Sequence, residues 1–67
     1  RLQEWLQGRA LPLPEYVLVD TRGEEHDKVF DVLCRLASPQ IEAVADGSSL
    51  RQAEQRAAVR VLEQLTA

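Results

Sequence analysis

Gly47-Ser48-Ser49-Leu50-Arg51-Gln52-Ala53-Glu54-Gln55-Arg56-Ala57-Ala58-Val59-Arg60-Val61-Leu62-Glu63-Gln64-Leu65 decides the fold, because it is the clearest helix in the sequence. Ser49 offers a short side-chain oxygen to the first-turn amides, and Gln52 three residues on completes a Ser-x-x-Gln capping box. Ala53, Ala57, Val61 and Leu65 recur every four residues, and Ala58 and Leu62 widen that stripe. The small alanines predict close approach to a sheet, whereas Val61, Leu62 and Leu65 suit a wider gap. Leu50, Arg51, Glu54 and Gln55 fall on a neighbouring face of the first two turns. The free amides and positive dipole end lie there too, an arrangement that suits an anion.

Working back from this helix, Ile41 to Ala45 reads as a short strand, leading through Asp46-Gly47 into Ser49. Ala37-Ser38-Pro39 is a turn. Lys28 to Leu36 alternates: Phe30, Val32, Cys34 and Leu36 share one side, Asp31 and Arg35 the other. Gly23-Glu24-Glu25-His26-Asp27 is a polar hairpin loop. The run from Tyr16 to about Arg22 is a further strand, apolar on both sides at its start, so its inward parity stays open. Pro12 and Pro14 keep Arg9 to Glu15 extended. Arg1 to Gln7 is helical, with Leu2, Trp5 and Leu6 on one side and Gln3, Glu4 and Gln7 on the other, and Gly8 is placed to close it. The order α-β-β-β-α predicts an α+β domain over 1–67: a three-stranded antiparallel sheet with two helices packed on one face.

Sixty-seven residues allow one domain, and 45% hydrophobic residues allow one small core. No apolar run reaches the roughly 20 residues of a membrane-spanning helix, so no membrane partner is expected. The chain opens at Arg1 without a methionine or a secretory leader, the pattern of a piece cut from a longer protein. A single cysteine, Cys34, excludes an internal disulfide and fits a reducing compartment, hence a cytoplasmic location. The net charge of −3 counts against nucleic acid as a partner unless the eight basic residues gather on one face.

Pro-Glu-Tyr at 14–16, Gly-Glu-Glu-His at 23–26, Phe30 and Gly-Ser-Ser…Ala-Glu-Gln-Arg-Ala-Ala at 47–58, in this element order, resemble the double-stranded-RNA-binding domain. Leu-Gln-Glu-Trp-Leu-Gln at 2–7 and Leu-Pro-Leu-Pro-Glu-Tyr at 11–16 look more narrowly like the C-terminal domain of bacterial ribonuclease III. The resemblance implies recognition of shape, 2′-hydroxyls and phosphates over about 16 base pairs. Gln3, Glu4 and Gln7 match contact positions for one minor groove. His26, with Glu25 and Lys28 beside it, matches those for the next. Ser48, Ser49, Arg51 and Gln55 match the phosphate-binding positions between them. Leu50 stands where a lysine or arginine is common, so binding weaker and less salt-sensitive than the family's usual is expected.

The resemblance further implies that catalysis belongs to a separate nuclease domain using Mg2+ and carboxylates, acting in rRNA or mRNA processing. This chain itself is expected to need no cofactor and to be monomeric, its parent homodimeric. The rival expectation is the same fold used as a protein-interaction or dimerisation module through Leu50, Val59, Val29 and Leu33.

Other chemistry-bearing residues have plainer readings. His26 among Glu24, Glu25 and Asp27 lacks the second cluster a metal site needs, and a hairpin tip is usually just solvated. Cys34 shares parity with Phe30 and Val32 and reads as core rather than nucleophile. Trp5, between Leu2 and Leu6, reads as core rather than a stacking platform, and Arg56 and Arg60 as a solvated face near Glu63.

Overall fold

A computed structural model describes residues 1–67 and shows the expected order: α1 (Leu2–Gly8), β1 (Glu15–Arg22), β2 (Val29–Leu36), β3 (Ile41–Gly47) and α2 (Leu50–Thr66). The strands form an antiparallel meander in the order β1-β2-β3. β3 runs two residues past its expected end, because Asp46 and Gly47 keep the ladder opposite Asp31 and Phe30.

The register settles the parity of β1. Tyr16 and Leu18 face Cys34 and Val32, then a bulge at Val19 shifts the pairing so that Thr21 faces Phe30 and Asp20 faces Asp31. One face of the sheet is therefore lined by Phe30, Val32, Cys34 and Leu36, and both helices contribute to the core on that side. Leu2 and Leu6 of α1 meet Cys34, Leu36, Ala45, Ala57 and Val61 in one cluster, with Trp5 and Leu11 packed against it. Cys34 is fully buried, and burial pushes its thiol up from the ordinary range, so its core assignment stands. Every fourth residue of α2 from Ala53 to Val61 is 0% exposed, which the alanine stripe anticipates.

The end of α1 differs from the sequence reading. Gly8 lies inside the last turn, and the left-handed residue is Ala10, at φ 54°. The Leu11 amide donates to the Leu6 carbonyl at 2.9 Å and the Ala10 amide to that of Gln7 at 3.1 Å. This is a Schellman closure carried by an alanine, with Leu11 as its apolar contact. A left-handed L-residue costs about 1–2 kcal/mol. We expect Ala10→Gly to stabilise the chain by about 0.5–1 kcal/mol after the extra unfolded-state freedom of glycine is deducted, read as a rise in melting temperature.

Arg56 and Arg60 are not a freely solvated face. Each reaches back from α2 to β3, donating from Nη1 to the carbonyls of Asp46 (3.1 Å) and Val44 respectively. Carbonyls two residues apart on a strand point the same way, and β3 is an edge strand, so the arginines occupy its outer side.

Candidate nucleic-acid interface

Three groups of candidate residues ride on this scaffold. β1 ends and β2 begins where Arg22 pairs with Val29, and β3 ends where Gly47 pairs with Phe30. The 23–28 loop and the start of α2 consequently lie at the same end of the sheet. The loop is shaped by Gly23, at φ +90°, and by the Asp27 amide donating to the Glu24 carbonyl at 2.9 Å. A Cβ on Gly23 would lie 2.3 Å from the Asp27 carbonyl oxygen, so glycine is required twice over. Glu25, His26 and Lys28 are all exposed on this loop.

At the start of α2, Ser49 is extended (φ −142°, ψ 161°) and its Oγ accepts from the Gln52 amide at 3.1 Å. The reciprocal arm of the box goes elsewhere than expected: Gln52 Oε1 accepts from the Ser48 amide at 2.7 Å and the Ser48 hydroxyl at 2.9 Å. Gln52 thus pins the approach to the helix with a neutral side chain. Ser48 spends its hydroxyl proton internally; Ser49 keeps its own. The first-turn amides of Leu50 and Arg51 lie beyond that cap.

The third group joins the second. A cleft of about 460 Å³ between α1 and α2 is lined by Gln3, Arg51 and Gln55, which the sequence singles out. Arg1 and Tyr16, which it does not, line the same cleft, together with Glu54, which the sequence places on the same helix face as Arg51 and Gln55. Burial above all, then the neighbouring Cys34 thiol and the Glu54 carboxylate, pushes the Tyr16 hydroxyl up to about 12, so it stays a neutral donor throughout the physiological range. No local signal marks it, because only the packing of α1 against α2 brings it there. Glu4 and Gln7 are exposed on α1 but do not line the cleft.

The eight basic residues do not gather on one face, but the net charge of −3 is not spread evenly either. Cross-strand pairing puts Glu15, Asp20, Asp31, Glu42 and Asp46 with only Arg22 and Arg35 on the outer face of the sheet, opposite the helices. That face accounts for the whole net charge, the remaining six acids being matched by six cations. Its guanidiniums are engaged: Arg22 is bidentate to Asp31 at 2.8 and 2.9 Å, and Arg35 meets Glu15 at 3.0 Å. The Arg22 hydrogen bonds hold the Asp31 carboxyl below the usual carboxylate range. Lys28 and Arg51, by contrast, have no carboxylate partner. The two cations left unpaired among the candidates therefore stand at the loop and at the start of α2.

The fold, the register and this placement define a small α-β-β-β-α module with a polar helical side, and the pattern of the double-stranded RNA binding motif matches residues 1–65: the chain belongs to that family of double-stranded-RNA-binding domains. Among named relatives it is similar to Ribonuclease 3 of Xanthomonas oryzae pv. oryzae and to Ribonuclease 3 of Xanthomonas axonopodis pv. citri. Each is 54% identical over 65 residues, which is 97% of this chain and 29% of the relative. The chain thus spans under a third of the length of those relatives. No helix in it is long and apolar enough to cross a membrane.

Proposed function

We propose that this domain holds duplex RNA for a ribonuclease III type of endoribonuclease. In this reading α1 enters one minor groove through Gln3, Glu4 and Gln7, and the loop enters the next through Glu25, His26 and Lys28. Ser49, Arg51 and Gln55 at the start of α2 hold the phosphates between, while Ser48, whose amide and hydroxyl both donate to Gln52, holds the approach to the helix in place. The observation that carries it is continuity: one sheet end bears both the loop and the start of α2, and one cleft joins Arg51 and Gln55 to Gln3. A-form RNA offers alternating grooves to such a surface, read by shape rather than sequence.

Cleavage, in the same reading, belongs to the remainder of a homodimeric cytoplasmic parent that uses Mg2+ and carboxylates in rRNA or mRNA processing. The 54% identity to proteins named Ribonuclease 3 supports the ribonuclease III type of parent.

Arg51→Ala tests the phosphate role. We expect duplex affinity to fall by about 1–3 kcal/mol, on the scale of hydrogen bonds to charged groups. The slope of log affinity against log salt should fall by roughly one, as for one lost phosphate contact. Titrating a duplex longer than about 16 base pairs at several salt concentrations reads both. Unchanged affinity would remove Arg51 from the phosphate site; salt-indifferent self-association would favour the dimerisation reading.

A further inference from the structure

In the reading above RNA meets the helical side and the loop, which leaves the outer face of the sheet uncommitted, and its net charge of −3 would repel a duplex. Its side chains form rows across the strands. Glu15, Arg35 and Glu42 are paired in one row; Val17, Leu33 and Val44 in the next; Asp20, Asp31 and Asp46 in the third. The apolar row is open to solvent: Val44 is 44% exposed, and Val17 and Leu33 are half-buried with no element above them. Both bordering rows keep a net negative charge after their internal pairs are counted, Glu15 and Glu42 about Arg35 in one and Asp20, Asp31 and Asp46 sharing Arg22 in the other. The stripe is therefore complementary to an apolar stripe bordered by base on both sides.

The spacing narrows the occupant. Neighbouring strands lie about 4.8 Å apart, so the row from Val17 to Val44 spans about 10 Å. Residues i and i+7 of an α-helix are separated by about 10.5 Å, with i+3 or i+4 between them. The acidic rows stand about 7 Å to either side, two residues along each strand except from Val17 to Asp20, where the bulge adds a third, within reach of lysine and arginine stems. A second copy of this face is a poor fit, because two surfaces of net charge −3 would meet. Strand addition is also disfavoured, with arginines across the β3 edge and a bulge in β1.

We propose that this face docks a basic amphipathic helix of a protein partner, its apolar stripe laid across Val17, Leu33 and Val44 and its cations against the two acidic rows. The helical side stays free, so duplex RNA and partner can be held together.

The probe is a synthetic helical peptide of about 18 residues, with leucines at i, i+4 and i+7 flanked on both sides by lysines. Its control is a scrambled peptide of the same composition. Amide chemical-shift mapping on this chain should show saturable one-to-one binding with shifts at 15–20, 31–35 and 42–46. Affinity should exceed that of the scrambled peptide by about tenfold or more, and Val44→Lys should lower it by about tenfold while the melt of the chain and its duplex-RNA affinity stay parental. Equal binding of the scrambled peptide would overturn the proposal, as would shifts centred on 24–28 or indifference to Val44→Lys. Self-association abolished by Val44→Lys would overturn it in favour of a second copy. A fall in duplex affinity for that variant would overturn it too, by assigning the face to RNA. Failure of the peptide to bind would overturn the proposal, and parental duplex binding in the same sample would leave the RNA reading standing.

Discussion

Ala57→Glu should leave the chain unfolded at 25 °C and neutral pH. Ala57 is 0% exposed at the middle of the α2 stripe, among Leu6, Cys34, Leu36, Ala45 and Val61. No buried polar or charged residue exists in this core to receive a carboxylate. An uncompensated buried charge costs about 3–5 kcal/mol, to which overpacking adds about 1–3. A chain of 67 residues has a total stability of only about 3–10 kcal/mol. The introduced carboxyl would have its pKa raised in the folded state, since burial disfavours its charged form. Its penalty is therefore smallest below the unfolded value of about 4.3 and grows as pH rises through the folded value. Circular-dichroism melts at pH 4 and pH 7 would show partial recovery at the lower pH. A cooperative parental melt at pH 7 would mean that α2 does not pack on this stripe.

Gly47→Ala should be the next most damaging change, through shape alone. Gly47 is buried at the end of β3, and a Cβ there would sit 2.6 Å from the Ala53 amide nitrogen and 3.0 Å from the Gln52 carbonyl carbon. Both are helix backbone, so no side chain can swing aside. The first turn of α2 must move off the sheet, taking Ser49, Arg51 and the Gln52–Ser48 hydrogen bonds with it. We expect a loss of about 2–3 kcal/mol, at the upper end for overpacking, and a further fall in duplex affinity beyond the unfolded fraction. Thermal melts and duplex titration below the transition separate the two. Parental values in both would show that the helix has room to retreat from Gly47 at no cost.

What could be read from the sequence was whatever repeats at short range. The four-residue stripe from Ala53 to Leu65, the alternation from Phe30 to Leu36 and the Ser49 cap are local patterns, and each has its counterpart in the fold. β1 was opaque because a bulge at Val19 breaks its period within an already apolar run. Gly8 misled because Leu6, Gln7 and Ala10 close α1 two residues later through a left-handed alanine. Arg56 and Arg60 looked solvated because helical spacing says nothing about how far a guanidinium reaches back towards a strand. Tyr16 joined the cleft only through tertiary packing. The loop and the start of α2 could be set side by side only once the strand register was known.

The guanidiniums across β3 also bear on how such modules behave in company. Copies held close together meet at high local concentration, where a bare sheet edge would template strand addition. Arg56 and Arg60 already answer the Asp46 and Val44 carbonyls, and charge on an edge is a recognised safeguard against such templating. The β3 edge is therefore closed to a further strand by the chain's own helix.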